Sequence, residues 1–239
     1  MSRPVRFGAI LAAGEGRRLR RDGFGPAKPL VAVAGVPLVA HAIENLFAAG
    51  VERLVVAFNQ SGQDCAGYVR EHFPARPIEI VLGDTASSFE TFRAVSERLP
   101  PGRVLVTTVD AWCPREDFVR FSSEAADAGE SETVLAVTPF VDDERPLWVE
   151  TMADGLVRKI GGATGTAVTA GAYLFSGAAR LRAAPARFER LRAFLAWLIV
   201  EGETVRAVTI EKVIDVDRGC DVAAAEEMSQ LLAARGGRP

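Results

Sequence analysis

The sequence predicts one continuous α/β unit, in which a largely parallel sheet is covered by helices. Up to Asp110, short apolar runs alternate with amphipathic segments, which is the order that a parallel sheet with helical crossovers produces. Beyond Asp110, several strand-like runs follow one another with only turns between them, which indicates an antiparallel or mixed extension of the sheet. No internal repeat, low-complexity tract or linker interrupts the 239 residues.

The first half supplies the parallel core. Residues 5–12, 54–58, 78–82 and 104–109 form apolar runs whose length and composition are typical of strands buried on both faces. Helices are expected over about 37–49, through 68–72, and from Phe89 to Leu99, where Pro100, Pro101 and Gly102 end the helix.

The second half supplies the mixed extension and the closing helices. Strands are expected at 133–138, 147–152, 156–160, 168–175 and 205–210. Residues 187–200 have apolar side chains on one face and arginines on the other, which predicts an amphipathic helix, and 222–232 predict a last helix. We expect one domain over 1–233 and a loose tail over 234–239.

Charge and cysteine content exclude several classes of protein. Lys and Arg number 28 against 31 Asp and Glu, so the net charge is 28 − 31 = −3, and the pI is about 5.6. A general nucleic-acid binder would carry a basic excess, so phosphate affinity must be local to a site. The cysteines Cys65, Cys113 and Cys220 are odd in number and widely spaced, which indicates neither a disulfide framework nor a zinc site. No run approaches the ~20 apolar residues of a membrane span, and we expect a cytoplasmic protein.

A glycine-rich turn follows the first predicted strand. It reads Leu11-Ala12-Ala13-Gly14-Glu15-Gly16-Arg17 and continues to Lys28-Pro29-Leu30. Glycines at this position let backbone N–H groups approach phosphate oxygens. A Walker loop is disfavoured because no Gly-Lys-Ser/Thr occurs, and a dinucleotide fingerprint is disfavoured because Leu19 and Asn59 stand where a glycine and an acid are needed.

This pattern, with Lys-Pro-Leu and then Val33 to Leu38, resembles the signature of the sugar-phosphate nucleotidyltransferases. The resemblance implies a single-domain, three-layer α/β/α fold that is Rossmann-like in outline, with a mixed, mostly parallel sheet. It also implies that Arg17 binds the pyrophosphate portion of a nucleoside triphosphate and that Lys28 lies at the reacting phosphates. The implied nucleotide loop consists of Leu11, Ala12, Ala13, Gly14, Gly16 and Arg17. The spacer Asp22-Gly23-Phe24-Gly25 departs from the usual wording of the family.

Two acidic positions resemble the family's metal site. Asp110 ends a buried strand, where open α/β sheets place their ligands, and a carboxylate there suits Mg²⁺. Asp215 and Asp217 alternate, so an extended segment would place both on one side, where they repel unless a cation compensates. This segment resembles the family's late element that supplies a second metal carboxylate, although Arg218-Gly219-Cys220 replaces its Thr-Pro-Glu. Either aspartate is a candidate, and we expect Asp217.

The substrate side resembles the family less closely. Residues Thr85, Ser87 and Ser88 correspond to a stretch that lines the nucleobase, and a plain helix cap explains them equally well. Glu150 aligns with a glutamate that holds sugar hydroxyls. Thr169 and Gly171 lie in Thr-Ala-Gly-Ala-Tyr, which resembles an Asn-x-Gly-x-Tyr strand, while the usual Glu-Lys-Pro after Val157 is missing.

The implied activity is Mg²⁺-dependent transfer of a nucleoside monophosphate from a nucleoside triphosphate to a sugar 1-phosphate or similar phosphorylated alcohol, with release of pyrophosphate. One alternative is a cytidylyl- or guanylyltransferase that acts on a phosphorylated polyol or cofactor precursor. Another is a nucleotide-binding regulatory module without turnover. A metal-dependent glycosyltransferase is disfavoured because its Asp-x-Asp motif normally lies mid-chain. The sequence leaves the base, the acceptor and the oligomeric state open, and predicts neither a nucleic-acid nor a membrane partner.

Overall fold

The computed structural model describes residues 5–141 and 146–236. Its strands are β1 (Phe7–Ala12), β2 (Ala32–Val33), β3 (Val36–Pro37), β4 (Arg53–Phe58), β5 (Ile78–Leu82), β6 (Val104–Thr108), β7 (Ala111–Trp112), β8 (Thr133–Thr138), β9 (Trp148–Thr151), β10 (Val157–Ile160), β11 (Ala167–Phe175), β12 (Val205–Thr209) and β13 (Ile214–Asp215). Its α-helices are α1 (Arg17–Arg21), α2 (Leu38–Ala48), α3 (Gln63–His72), α4 (Ser88–Ser96), α5 (Arg115–Asp127), α6 (Gly177–Ala183), α7 (Leu191–Val200) and α8 (Gly219–Gly236), and Lys28–Leu30 forms a 3₁₀ turn.

A nine-stranded sheet forms the centre of the molecule. Strands β6, β1, β4 and β5 are adjacent and parallel, as the alternating first half predicts. Strand β11 joins β6 in the antiparallel sense, and β8 follows on its other edge, so the sheet becomes mixed after β6. The remaining strands pair as two short ribbons, β2 with β3 and β7 with β13.

Helices cover both faces of the sheet, which confirms the three-layer α/β/α prediction. Alternate residues of β1 point to opposite cores, because successive strand side chains face opposite ways. Ile10 packs in one core with helices α2, α3, α5 and α8, whereas Ala9 and Leu11 pack in the other with α4, α6 and α7. The second core is rich in aromatic rings, among them Phe92 and Phe194.

Strand β11 determines where the β9–β10 ribbon lies. One edge of β11 pairs with β8, whereas the other pairs first with β9, through Ala167 and Val168, and then with β6, from Ala172 onward. Strand β9 therefore continues the line of β6 beyond the carboxyl end of β6. The β9–β10 ribbon thus stands beside the edge of the sheet where β1 and β6 end.

The predicted helices differ from those of the structure in several places, and the short helices α1 and α6 were not predicted. The helix expected at 187–200 begins only at Leu191, and its prediction was wrong for 187–190, because Arg190 is extended (φ −151°, ψ 151°) and Ser88 Oγ accepts a hydrogen bond from the Leu191 amide. Helix α5 was not predicted, although Phe118, Phe121, Ser122 and Ala125 bury one helical face. The last helix extends beyond 222–232, from Gly219 to Gly236.

Candidate active site

A cavity of about 1390 Å³ opens where β1 and β6 end. Open α/β sheets place ligands at this edge, and the volume exceeds the ~300–1,000 Å³ typical of one small-molecule site. Its lining includes residues of the glycine-rich turn, the acidic positions, the start of α4, strand β11 and the segment before α7. The cavity therefore collects parts of the chain that are far apart in sequence.

Lys28 lies at the centre of this site. The lysine is 6% exposed, and its Nζ donates to Asp110 Oδ2 at 2.5 Å and to Asp217 Oδ1. Arg18 Nη1 donates to the other oxygen of Asp217 at 2.9 Å. Residues from the glycine-rich turn, the end of β6 and the late acidic segment are thus joined in one ion-pair network.

Burial and charge act in opposite directions on this network. Burial alone would lower the pKa of Lys28, but the carboxylates of Asp110, Asp215 and Asp217 raise it above its usual value. Burial would likewise raise the pKa of Asp110, but the charge and hydrogen bond of Lys28, with a hydrogen bond from Thr108, hold it below its usual value. Lys28 and Asp110 are both charged at neutral pH.

Gly16 allows the turn to pack against the lysine. It has φ +61°, and a Cβ on it would lie 2.6 Å from the Cβ of Lys28. A side chain at this position would therefore be strained and would push Lys28 away from its carboxylates. Asn59 holds the turn from the other side, because its Nδ2 donates to the Ala13 carbonyl at 3.3 Å.

Three carboxylates form a cluster suited to a hard cation. One oxygen each of Asp110, Asp215 and Asp217 lies within 4.8 Å of the others. The ribbon of β7 and β13 brings them together, because Asp215 pairs with Ala111, the residue after Asp110. Carboxylate oxygens are the donors that Mg²⁺ prefers, so the residues fit a divalent cation. The late acidic pair predicted from its alternation lies at the same site as Asp110.

Gly171 is a point of close approach between β11 and the end of β6. It has φ +70°, and a Cβ there would lie 2.6 Å from Ala111 Cβ and 2.7 Å from Thr108 Oγ1. Both Gly171 and Thr169 line the cavity. A glycine at this position lets the strand expected on the acceptor side lie against the Asp110 turn.

Two of the departures from the family pattern, the spacer before Lys28 and the segment after Asp217, are in contact. Asp22 Oδ2, in the spacer before Lys28, accepts a hydrogen bond from the Gly219 amide at 2.8 Å. The Phe24 ring also lies 3.2 Å from where a Gly219 Cβ would be. The spacer that precedes Lys28 is thereby attached to the start of α8, two residues after Asp217.

The serine-rich loop has defined partners. Ser87 caps α4 by accepting from the Glu90 amide at 3.2 Å, and its hydroxyl donates to the Phe188 carbonyl at 3.2 Å. Thr85 shares a 2.6 Å hydrogen bond with Thr91. Ser87 and Ser88 line the cavity, whereas Thr85 is not among its lining residues. The loop therefore caps a helix and also borders the cavity.

The other predicted site residues are distributed unevenly. Gly14 and Arg17 line the cavity, while Leu11 and Ala12 are buried behind the turn in the end of β1. Glu150 is not among the lining residues and instead pairs with Arg158 across the β9–β10 ribbon. Arg18 received no predicted role, and no local signal could have supplied one, since its partner Asp217 is 199 residues away.

Comparison with protein families gives an extensive match. The family model described as "MobA-like NTP transferase domain" matches residues 8–196. The matched range contains the glycine-rich turn, Lys28 and Asp110.

Two curated relatives extend the comparison. The chain is 32% identical, over 95% of its length and 53% of the relative's, to a "Bifunctional IPC transferase and DIPP synthase" of Rubrobacter xylanophilus. It is 29% identical, over 71% of its length and 49% of the relative's, to a "Mannose-1-phosphate guanyltransferase" of Gibberella zeae. The chain spans about half the length of the curated relatives it matches.

Solved structures share the fold. The inositol-1-phosphate CTP transferase of T. maritima superposes with a TM-score of 0.82 at 18% identity, covering 96% of this chain and 97% of the other. HddC from Yersinia pseudotuberculosis gives a TM-score of 0.74 at 18% identity, covering 94% and 100%. Among the residues that the structure describes, no helix has the length and apolar character needed to cross a membrane.

Proposed function

Because the chain belongs to the MobA-like NTP transferase domain family, we propose that it transfers a nucleoside monophosphate from a nucleoside triphosphate to a sugar 1-phosphate or similar phosphorylated alcohol. The observation that carries this proposal is the position of Lys28. Its buried ammonium lies between Asp110 and Asp217, beside the glycine-rich turn and at the carboxyl edge of the sheet.

The reaction is a single displacement at the α-phosphorus. A phosphate oxygen of the acceptor attacks this phosphorus, the bond to the oxygen that bridges the α- and β-phosphates breaks, and pyrophosphate leaves with that electron pair. No proton has to be removed from the attacking oxygen, because the acceptor phosphate is already ionised. The chain therefore acts by positioning and by stabilising charge.

The glycine-rich turn, Arg17 and Lys28 each bind a different part of the triphosphate. Backbone N–H groups around Gly14 and Gly16 bind the triphosphate, and Arg17 binds its departing pyrophosphate portion. Lys28 donates to oxygens of the α-phosphate, where negative charge accumulates in the transition state. Arg17 now pairs with Glu15 in an exposed contact, which is weak enough to be exchanged for a phosphate.

Asp110 and Asp217 would hold Mg²⁺, with Asp215 beside them. A divalent cation bound there would neutralise phosphate charge. The same carboxylates orient Lys28, and Arg18 holds Asp217 in place.

The two substrates are assigned to different parts of the cavity lining. Ser87 and Ser88 border the nucleobase, with Thr85 behind them, while Thr169 and Gly171 border the acceptor. Glu150 would bind hydroxyl groups of the acceptor after its ion pair with Arg158 breaks. The pathway is nucleotide-sugar or nucleotide-polyol synthesis, and the expected compartment is the cytoplasm.

A matrix of the common nucleoside triphosphates against sugar 1-phosphates and phosphorylated polyols, with Mg²⁺ present, tests the proposal. Pyrophosphate release and the mass of the product are the readouts. We expect at least one pair to give both pyrophosphate and the nucleoside-diphosphate-linked acceptor. Triphosphate binding without product for every acceptor would contradict the proposal and favour a regulatory nucleotide-binding module.

A further inference from the structure

Two arginines at the start of α7, Arg190 just before the helix and Arg192 in its first turn, line the cavity without a partner among the described residues. Residues 187–192 contain three arginines and one glutamate, a net charge of 3 − 1 = +2. Arg190 and Arg192 line the main cavity and also a recess of about 280 Å³ that opens beside it. Within the described parts of the chain, neither guanidinium has a hydrogen bond or ion pair, whereas Arg187 donates to the carbonyls of Pro185 and Ala186.

This arrangement contrasts with the other cations that line the cavity. Lys28 and Arg18 are paired with the aspartates, and Arg17 with Glu15. Arg192 is half-buried, and an unpaired charge loses hydration when it is buried, so a half-buried guanidinium without a partner favours binding of an anion from solution. Glu189, the acid of the segment, offsets only part of this positive charge.

The backbone under these arginines is fixed. The Leu191 amide donates to Ser88 Oγ at 3.0 Å, and the Phe188 carbonyl accepts from Ser87 Oγ at 3.2 Å. The centroids of the Phe188 and Phe89 rings lie 5.2 Å apart, in an edge-to-face arrangement. The segment is thereby anchored to the start of α4, so the two guanidinium groups extend from an ordered support.

The recess lies on the acceptor side of the cavity, away from the triphosphate turn. Its lining includes Leu147, whose carbonyl accepts from the Thr169 amide at 3.0 Å. Thr169 is two residues along β11 from Gly171, which touches the Asp110 turn, and two residues of a strand span about 7 Å. The arginines are therefore beyond the position of the reacting phosphate.

We propose that Arg190 and Arg192 bind a second anionic group on the acceptor, a carboxylate or a second phosphate at the end remote from the phosphate that reacts. The proposal rests on the proposed function, because it assigns the acceptor to this half of the cavity. It commits to a class of substrate, the phosphorylated sugars or polyols that carry an additional oxyanion. A cationic acceptor is disfavoured by the same charge.

Equilibrium binding to the full chain, without any triphosphate, tests this site. The probes are glucose 1-phosphate, glucosamine 1-phosphate, glucuronic acid 1-phosphate and glucose 1,6-bisphosphate. We expect the two probes with a second oxyanion to bind about tenfold more tightly than glucose 1-phosphate, since charge-assisted hydrogen bonds are the stronger ones, and glucosamine 1-phosphate to bind least tightly. The glucuronic acid and bisphosphate arms separate a carboxylate from a phosphate.

The double variant Arg190→Gln with Arg192→Gln provides the decisive comparison. We expect it to reduce the ratio of affinities between doubly and singly anionic probes to about one. Arg120→Gln, which changes a surface arginine paired with Asp117 on α5, is the matched control and should leave the ratio unchanged. Circular dichroism checks that both variants fold, and the single variants replace the double one if it does not.

Equal affinities for all probes in the unaltered chain, no binding of any probe, or an unchanged ratio in the arginine variants would overturn the proposal. Because no turnover is measured, this outcome is distinct from failure of the proposed function, which is decided by pyrophosphate release.

Discussion

The two halves of the cavity, the triphosphate half around Lys28 and the acceptor half around Arg190 and Arg192, differ in how their charged side chains are paired. On the triphosphate half, Lys28, Asp110 and Asp217 satisfy one another in a network that is largely buried. On the acceptor half, Arg190 and Arg192 have no protein partner in the described residues. Within the described residues, Lys28 is therefore paired by the protein itself, whereas the proposed site leaves Arg190 and Arg192 to pair with a ligand.

This contrast agrees with how closely each half follows the family signature. The glycine-rich turn, Lys28 and Asp110 keep the pattern, whereas the acceptor half has lost its Glu-Lys-Pro and has threonine at position 169. A fixed triphosphate half serves any nucleotidyl transfer, since the triphosphate is common to all of them. Under the proposed function, the acceptor half would determine which phosphorylated alcohol is used.

The largest expected effect comes from removing the ammonium group of Lys28, at the centre of the triphosphate half, which we also call the paired half. Lys28→Ala should reduce pyrophosphate release by about a hundred- to a thousand-fold, because one well-placed electrostatic group contributes about 3–4 kcal/mol at the transition state. Steady-state rates with saturating substrates provide the measurement. Lys159→Ala, an exposed lysine of β10, is the control. Similar rates in the two variants would show that the paired half is not where the chemistry occurs.

A second test concerns the junction between the halves. Gly171→Ala should lower the free energy of unfolding by about 1–3 kcal/mol for its positive φ, with a further loss of about 1–3 kcal/mol because its Cβ would overlap Ala111 and Thr108. Gly35→Ala is the matched control, since Gly35 has φ +81° and open space around it. Urea unfolding of both variants separates the two costs, and equal losses would mean that β11 can move away from the Asp110 turn.

A smaller effect is expected where the spacer is attached to α8. Asp22→Ala removes the acceptor for the Gly219 amide, and we expect kcat to fall about fivefold, in line with a net hydrogen-bond contribution of about 1 kcal/mol. Asp22→Asn keeps an oxygen acceptor and should retain most of the rate. If the asparagine variant is as slow as the alanine variant, the charge of Asp22 rather than this hydrogen bond matters.

The smallest expected effect is on stability, and it concerns His41, which packs behind the Asp110 turn against Trp112 and Cys113. His41 stacks on Trp112 at 5.4 Å, and its Nε2 lies 2.7 Å from the Cys113 carbonyl. Burial lowers the pKa of His41, although the Cys113 carbonyl raises it in part. His41 therefore binds a proton less tightly in the folded chain than in the unfolded chain, where the pKa of a histidine is about 6.5.

This difference predicts a pH dependence of stability. The free energy of unfolding should be at its full value above about pH 6.5 and decrease as the pH falls toward the lowered pKa, by at most about 1.4 kcal/mol per pH unit. His41→Gln should flatten this slope between pH 5 and 7 in urea unfolding experiments. An unchanged slope in the variant would assign the dependence to other groups.

Much of the fold follows from local pattern. The strands of the parallel core appear in the sequence as apolar runs, because they are buried on both faces, and the glycine-rich turn follows from residue type and spacing. The start of α7 could not be read in this way. Its apolar periodicity continues through Phe188, but the helix begins at Leu191, whose amide donates a hydrogen bond to a residue 103 positions away.

The site residues that belong to short local motifs could be predicted from the sequence. Lys28, Asp110 and the late aspartates could be named from motifs, and the structure brings them together. The pairing of Arg18 with Asp217 and the contact of Asp22 with Gly219 depend on tertiary structure alone. That Arg190 and Arg192 have no partner among the described residues likewise has no sequence signal, because the segment resembles the polar face of a helix.

The most direct test of the contrast between the halves is a paired kinetic measurement on an active triphosphate, with one singly and one doubly anionic acceptor. We predict that Lys28→Ala lowers kcat similarly for both acceptors. We also predict that the double variant Arg190→Gln with Arg192→Gln raises KM for the doubly anionic acceptor about tenfold more than for the other. A change of the same size in kcat and KM for both acceptors in both variants would contradict the division of the cavity into a self-paired half and a ligand-completed half.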